Sequence, residues 1–467
     1  MSFAEIKKKV LERTPYLKQT LEHKGDTTLL NYFEESLQFS NPIPSERQEE
    51  LLQVVKEMIE NVISHEIAHH AIEQLRKHYY VSTADHHGPI THPFFVNSHL
   101  AQSLANQKHQ LKNIFVFSCG GVSLNNSSVP RGILFHDAEL NKKQFNLVSL
   151  KHRHHPVFSF PAYTKKDDTI NPSKITLPKK LAELITELYS NETIFTYSTY
   201  SDQITYSNYL LWKKIPGQQN MNLIYLEQEK IVNELLLRYH LDNQTFLTHL
   251  LTDESVLHIF EECFDGIQGA FSSKIHTGTI LFWAIHKGKR IQLKREGTVL
   301  TSPDGSYKVS LTPQEIKTAI KKGELMPSMV LSFIILSFYY GLTCGGGFMQ
   351  VNYLTQMKMA YAQFLKLVNK EKEEKFVSSI ITDYFCSDLV FATMENKKTA
   401  THASSIDLII HQKTDTGIRL QELTEVCTLG QAVDHMIPEL YRILIKTYPI
   451  IEGDSKKTNI APVIDMS

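Results

Sequence analysis

The sequence predicts a helix-rich α/β or mixed α+β fold, on three observations. Apolar residues recur at helical spacing over long stretches, short apolar runs bounded by turn residues interrupt them, and the two patterns alternate most clearly before residue 215. These patterns imply an N-terminal α/β unit followed by a mainly helical region with a small antiparallel meander.

Taken in order, residues 1–44 read as short amphipathic helices that stop at Pro42 and Pro44. Ser45 and Gln48 match a capping box, and Leu51, Val55, Ile59, Val62 and Ile67 continue at helical spacing, so one helix is predicted to about Tyr79. Extended chain over 80–84, a helix over 98–106 and a buried strand over 114–117 follow. Strands at 132–135 and 145–150 and a helix over 178–190 complete an α/β unit spanning 45–215.

Residues 223–264 carry helical periodicity. The runs 280–283, 290–294 and 307–311, separated by turn residues at 286–289 and 302–305, predict the meander. Thr312, Pro313 and Glu315 form a helix start that Gly323 ends. Helices over 328–340 and 352–368 close a second unit, 216–370. The charge run 370–375 is the expected linker to a C-terminal α/β segment, 376–451, with a strand over 405–411, a helix over 430–446 and a flexible tail, 452–467.

Composition bounds the function. Length 467 allows two to four packed units, and 49 Lys plus Arg against 50 Asp plus Glu give no bulk field for nucleic acid, so no nucleic-acid partner is expected. The five cysteines are widely spaced with no C-x-x-C pair, which suits reduced thiols in a cytoplasmic setting. The first residues carry charges every few positions and no apolar leader core. Residues 326–357 lack charge, but the polar Gln350, Asn352 and Gln356 make a buried core helix the expected reading, without a membrane span.

The sharpest motif is His65-Glu66-Ile67-Ala68-His69, an H-E-x-x-H pattern within a predicted helix. Residues four apart share a helix face, so both imidazoles can reach one ion while Glu66 polarises its water. The pattern resembles the zincin metallopeptidase signature over about ten residues, and that resemblance implies zinc hydrolysis of a peptide. Ile72 and Leu75 stand where a metzincin would carry glycine and a third histidine.

A second cluster, Asp85, His86 and His87 with Gly88 and Pro89, follows the first. Helix after His69 advances about 15 Å, and the extended return from Tyr80 covers a similar distance, so Asp85 is expected level with His69. A joint site would take His65, His69 and Asp85 as ligands of a divalent metal, zinc first and iron or manganese next, with Glu66, His86 and His87 as catalytic groups. Asp-His-His after a strand also looks like one motif of the DHH phosphoesterases, although the aspartate-rich strand of that family has no counterpart upstream.

The loop 118–131 is expected to bind a small-molecule or peptide substrate through Cys119, Asn125, Asn126 and Arg131. Three functional readings result. The first is a metal-dependent enzyme, hydrolytic, built on the joint site. The second is a metal-independent enzyme that uses His86 or His87 with the Cys119 to Arg131 loop. The third is a non-catalytic protein that holds a ligand or partner on the apolar segment 330–342.

Overall fold

The structure is a computed structural model that describes residues 1–39, 43–165, 177–445 and 462–466. It is a helix-rich α/β fold organised around one four-stranded parallel sheet. The strands lie in the order Thr343–Gly345, Tyr80–Ser82, Asn113–Ser118 and Asn222–Glu227. Val81 pairs with Cys344, Ser82 with Val116, and Phe115 with Ile224.

All four strands are buried or nearly so, as parallel strands covered on both faces must be. Alternating side chains feed two separate cores. Tyr80, Ile114, Val116, Leu223 and Tyr225 pack with the N-terminal helices and residues beyond 384. Val81, Phe115, Phe117, Ile224 and Leu226 pack on the other face with helices drawn from 45–78 and 228–379. The sheet thus joins strands from either side of residue 215 and divides the molecule into two cores.

Several sequence-based expectations need correction. The helix expected over 45–79 is two helices, Ser45–Val62 and His65–His78, because the Ser64 hydroxyl accepts from the Ile67 N–H and restarts the second. Gln48 does not close a capping box; its side-chain amide donates to the Arg76 carbonyl and ties the two helices together. Residues 222–227 form a strand rather than helix, and 343–345, between the two expected helices, form the sheet's edge strand. Both runs are buried in a sheet whose other strands lie over a hundred residues away, information that local periodicity does not carry.

Ser405–Ile410 is a helix, not a strand, because Ser404 and Asp407 make a reciprocal capping box. The expected linker is the first turn of the helix Glu371–Ser379, where Glu371, Glu373 and Glu374 favour the positive end of the helix dipole. The meander is two three-stranded sheets; Phe282–His286 and Lys289–Gln292 take Leu325–Pro327 as a third strand, and Lys294–Glu296, Val299–Thr301 and Lys308–Ser310 form the other. In the expected tail, Ile464–Asp465 pairs with Thr393–Glu395. The helix expected over 430–446 breaks into Leu429–Asp434 and Ile437–Ile445; its last residue, like Pro42 and most of the expected tail, lies outside the described residues.

The uncharged stretch is core. Val330, Leu331, Phe333, Ile334, Ile335 and Leu336 are all buried, on a short helix that widens into a π turn over Ile334–Tyr339. This covers the apolar surface on which a partner-binding reading would rest. Among the described residues no helix is long and apolar enough to cross a membrane.

Candidate functional site

The carboxyl ends of parallel strands are where an open α/β sheet gathers functional groups. Here they bring together residues 83–87, 118–121, 227–230 and 345–347. The strand Tyr80–Ser82 extends into the Asp-His-His segment, because the Cys119 N–H donates to the Asp85 carbonyl and the His87 N–H to the Cys119 carbonyl, each at 2.8 Å.

The first cluster lies elsewhere. His65 is 80 % exposed and bonds Glu60 at 2.6 Å, while Glu66 and His69 are also on the solvent face of the helix. Asp85 is fully buried, and its Oδ2 accepts from His99 Nε2 at 2.9 Å. The expected joint site of His65, His69 and Asp85 is not assembled: its histidines face water and its carboxylate faces the core. Among the described residues no group of three or more His, Cys, Asp or Glu side chains is placed to hold a metal ion. Replacing His65 and His69 by alanine is therefore expected to leave folding stability within about 0.5 kcal/mol of the parent and zinc uptake unchanged. Loss of a bound zinc equivalent from that double variant, measured by metal analysis after loading, would restore the metal reading.

The second cluster is engaged internally. His87 is buried, its Nδ1 lying 2.7 Å from Ser118 Oγ and its Nε2 3.0 Å from the Ser201 carbonyl. Burial pushes its pKa down to about 4, so at neutral pH the ring is uncharged and pins the start of the helix Tyr200–Trp212, at Ser201, to the sheet. His86 is half-buried and joins the glycine loop through Nδ1, 2.8 Å from Asn126 Oδ1 and 3.1 Å from Ser128 Oγ. Asn126 Oδ1 also accepts from the Ser128 N–H, which folds the loop over the histidine. Asn125 is exposed, and one Arg131 nitrogen, Nη1, is buried without a partner.

The glycine loop's partners are two glutamates that the sequence reading passed over. Gly120 N–H and Gly121 N–H donate to the two Glu229 oxygens at 2.8 and 2.9 Å, and Cys119 Sγ lies 3.2 Å from Oε1. Burial and this carboxylate push the Cys119 thiol well up, which makes it a poor nucleophile. Arg290 closes the group by donating to the Gly121 carbonyl at 2.6 Å, with its guanidinium over the Trp283 ring.

Glu227 is the anomaly. It ends its strand, is 1 % exposed, and neither carboxylate oxygen has a hydrogen-bond partner. Burial pushes its carboxyl well above the ordinary carboxylate range; nearby Lys230 opposes the shift, Glu229 adds to it, and the neighbouring Ser201 hydroxyl lowers it without reaching hydrogen-bond geometry. It lines a cleft of about 1210 Å³, with Ser201, Asp202 and Lys230 beside it. Lys230 Nζ donates to Asp202 Oδ1 at 3.0 Å and to Thr199 Oγ1 at 2.9 Å. None of Cys119, Asn125, Asn126, Arg131, His86 and His87 lines this cleft.

No protein-family description and no curated protein matches this chain. The functional reading therefore rests on the geometry.

Gly120 shows how tightly that geometry is set. A methyl group there would stand 2.3 Å from Glu227 Oε1 and 2.4 Å from its Cδ, whereas one on Gly121 would meet Glu229 Oε1 and the flexible Met326 tip at 3.1 Å. Gly120→Ala is expected to cost about 1–3 kcal/mol by overpacking, and Gly121→Ala less. Equal urea midpoints for the two variants would refute this packing of Glu227 against the loop.

The sequence marks the end of the apolar run before Glu227 but not the burial of that glutamate. Leu223 to Leu226 is a short apolar run ending abruptly in Glu227, Gln228, Glu229 and Lys230, which is a strand followed by a polar turn as readily as a helix.

Proposed function

We propose that this protein is a metal-independent enzyme in which Glu227 transfers a proton to or from a polar small molecule bound in the cleft. The observation that carries the reading is a fully buried carboxyl group with neither oxygen partnered, on the wall of a large cleft at the end of a parallel strand. Buried polar groups are ordinarily satisfied, so a bare carboxyl beside a ligand-sized space is a group kept for something that enters it. An elevated pKa leaves it protonated near neutrality, the form a general acid needs. With Glu227 protonated, the lining carries five cations, Lys230, Arg238, Lys317, Lys321 and Lys322, against four carboxylates, Glu57, Asp202, Glu234 and Glu324, a small positive balance that suits a polar substrate with a negative group.

This reading moves the catalytic group to Glu227 and gives the Asp-His-His and glycine-loop residues a supporting role outside the cleft. His87 and the 118–121 loop become the frame: the one holds Ser201, the other holds Glu229 and abuts Glu227. The test is turnover of a panel of phosphorylated and carboxylated small molecules by the full chain in the presence of a chelator. The reading requires activity that survives chelation and depends on Glu227. Activity that disappears with chelation and returns with zinc would overturn it in favour of metal-dependent hydrolysis.

A further inference from the structure

A second cavity lies on the far side of the Asp-His-His segment, at the start of the helix Pro93–Lys108. This helix has no side-chain cap: His92 is its N-cap residue, Pro93 supplies no N–H, and the amides of the first turn have no acceptor within the helix. The cavity in front of it measures about 220 Å³. Four histidines line it, His92, His136, His402 and His435, and each comes from a different part of the chain.

The His92 Nδ1 atom is sealed from solvent and has no hydrogen-bond partner. His402 and His435 meet edge to face, with ring centres 6.2 Å apart. Two cations, Lys142 and Arg442, and one carboxylate, Glu439, share the lining.

The acidic groups nearby are largely committed. Asp407 accepts from His136 Nδ1 at 2.7 Å, Asp434 pairs with Lys7 at 2.6 Å, and Glu439, which also lines the cavity, lies 3.5 Å from Arg442. Lys142 makes no ion pair among the described residues. The balance is an uncapped helix N-terminus, a lysine with no ion pair among the described residues, an arginine beside Glu439 and a half-buried imidazole whose sealed Nδ1 has no partner, around one space, which is the donor set that surrounds an oxyanion.

We propose that this cavity binds a phosphate-type oxyanion, held by Lys142, Arg442, His92 and the first-turn amides of the helix Pro93–Lys108. The histidines give the site a pH dependence. Burial depresses His92 and His402 to about 3 and His435 to about 4, so the empty cavity holds neutral rings at pH 7. A bound anion favours their charged form and raises those values, so binding takes up protons and strengthens as pH falls.

The experiment is titration calorimetry of the full chain with sodium sulfate, whose charge is constant between pH 8 and pH 6, alongside inorganic phosphate and acetate at constant ionic strength. One-to-one sulfate and phosphate binding is expected, tighter at pH 6 than at pH 8 and weakened by about tenfold or more in Lys142→Gln. Lys142 is exposed on its strand, so this variant folds normally, and a thermal melt of it provides the control. His92→Phe should weaken sulfate binding as well. The inference is overturned by no sulfate heat at about 10 mM, by binding unaltered in both Lys142→Gln and Arg442→Gln, or by acetate binding as tightly as phosphate.

Discussion

Replacing Glu227 by glutamine is expected to remove catalysis while making the protein more stable. The two effects share one cause. A buried carboxyl with no hydrogen-bond partner favours its neutral form, and each unit by which its pKa rises costs about 1.4 kcal/mol of folding stability once the pH exceeds the folded-state value. Between the ordinary carboxylate pKa, about 4, and the raised one, the folded protein binds more protons than the unfolded chain, so stability falls as pH rises. Asp388, half-buried and pushed up to about 6, contributes the same sign over the lower part of that window.

Glutamine has nearly the shape of the protonated acid but cannot ionise. Glu227→Gln should therefore gain roughly 1–3 kcal/mol at pH 8 and little at pH 4.5, which urea unfolding at the two pH values will measure. Turnover should drop by about 100- to 10,000-fold, the ordinary contribution of a general acid. A variant that is less stable at pH 8, or one that retains full turnover, would show that Glu227 has a structural partner or no part in the chemistry.

The largest loss of stability is expected at the Asp85–His99 pair. His99 is 1 % exposed and Asp85 not at all; the bond between them anchors the end of the strand Tyr80–Ser82 to the helix Pro93–Lys108. Asp85→Ala leaves an imidazole donor facing a core with no acceptor, and breaking one side of a buried polar pair costs about 3–5 kcal/mol. Against a total of about 5–15 kcal/mol for a protein, that change approaches unfolding. Asp85→Asn keeps an oxygen for His99 and should lose less. Chemical unfolding of the two variants separates the alternatives: equal, small losses would mean that water replaces the missing group and that the pair is not structural.

The parts of the fold that were legible in the sequence are those in which local chemistry is decisive. The helix begun by Thr312 and Pro313 appears as expected, since its cap, first-turn proline and stop lie within twelve residues of one another. The strand Asn113–Ser118 and the helix Lys179–Tyr189 also stand where periodicity put them. The strands at 222–227 and 343–345 were missed because their partners are remote: Thr83 and Gly345, bonded side chain to backbone, are 262 residues apart.

The same division applies to the site. The Asp-His-His segment and the glycine loop lie beside each other, because both follow neighbouring strands of the parallel sheet. The H-E-x-x-H spacing was real, since both histidines do fall on one helix face. Which way that face points is set by packing against the helix Ser45–Val62 and the sheet, where Ala68, Ala71, Ile72 and Leu75 take the inward positions. Glu227 was overlooked because nothing local marks a carboxylate as buried.

The strand order also governs how the chain reaches its final state during synthesis. The first strand made, Tyr80–Ser82, takes its outer neighbour from the last, Thr343–Gly345, so the sheet stays one strand short until most of the polypeptide has emerged. At ribosomal rates of about 5–20 residues per second, this leaves the apolar face of Val81, Phe115 and Phe117 without its full cover on the order of tens of seconds. A nascent chain in that condition has an open strand edge and a bare apolar surface, the combination that holding chaperones shield and that aggregation exploits. Slow translation of the central third would thus lower the yield of folded protein without altering a single residue.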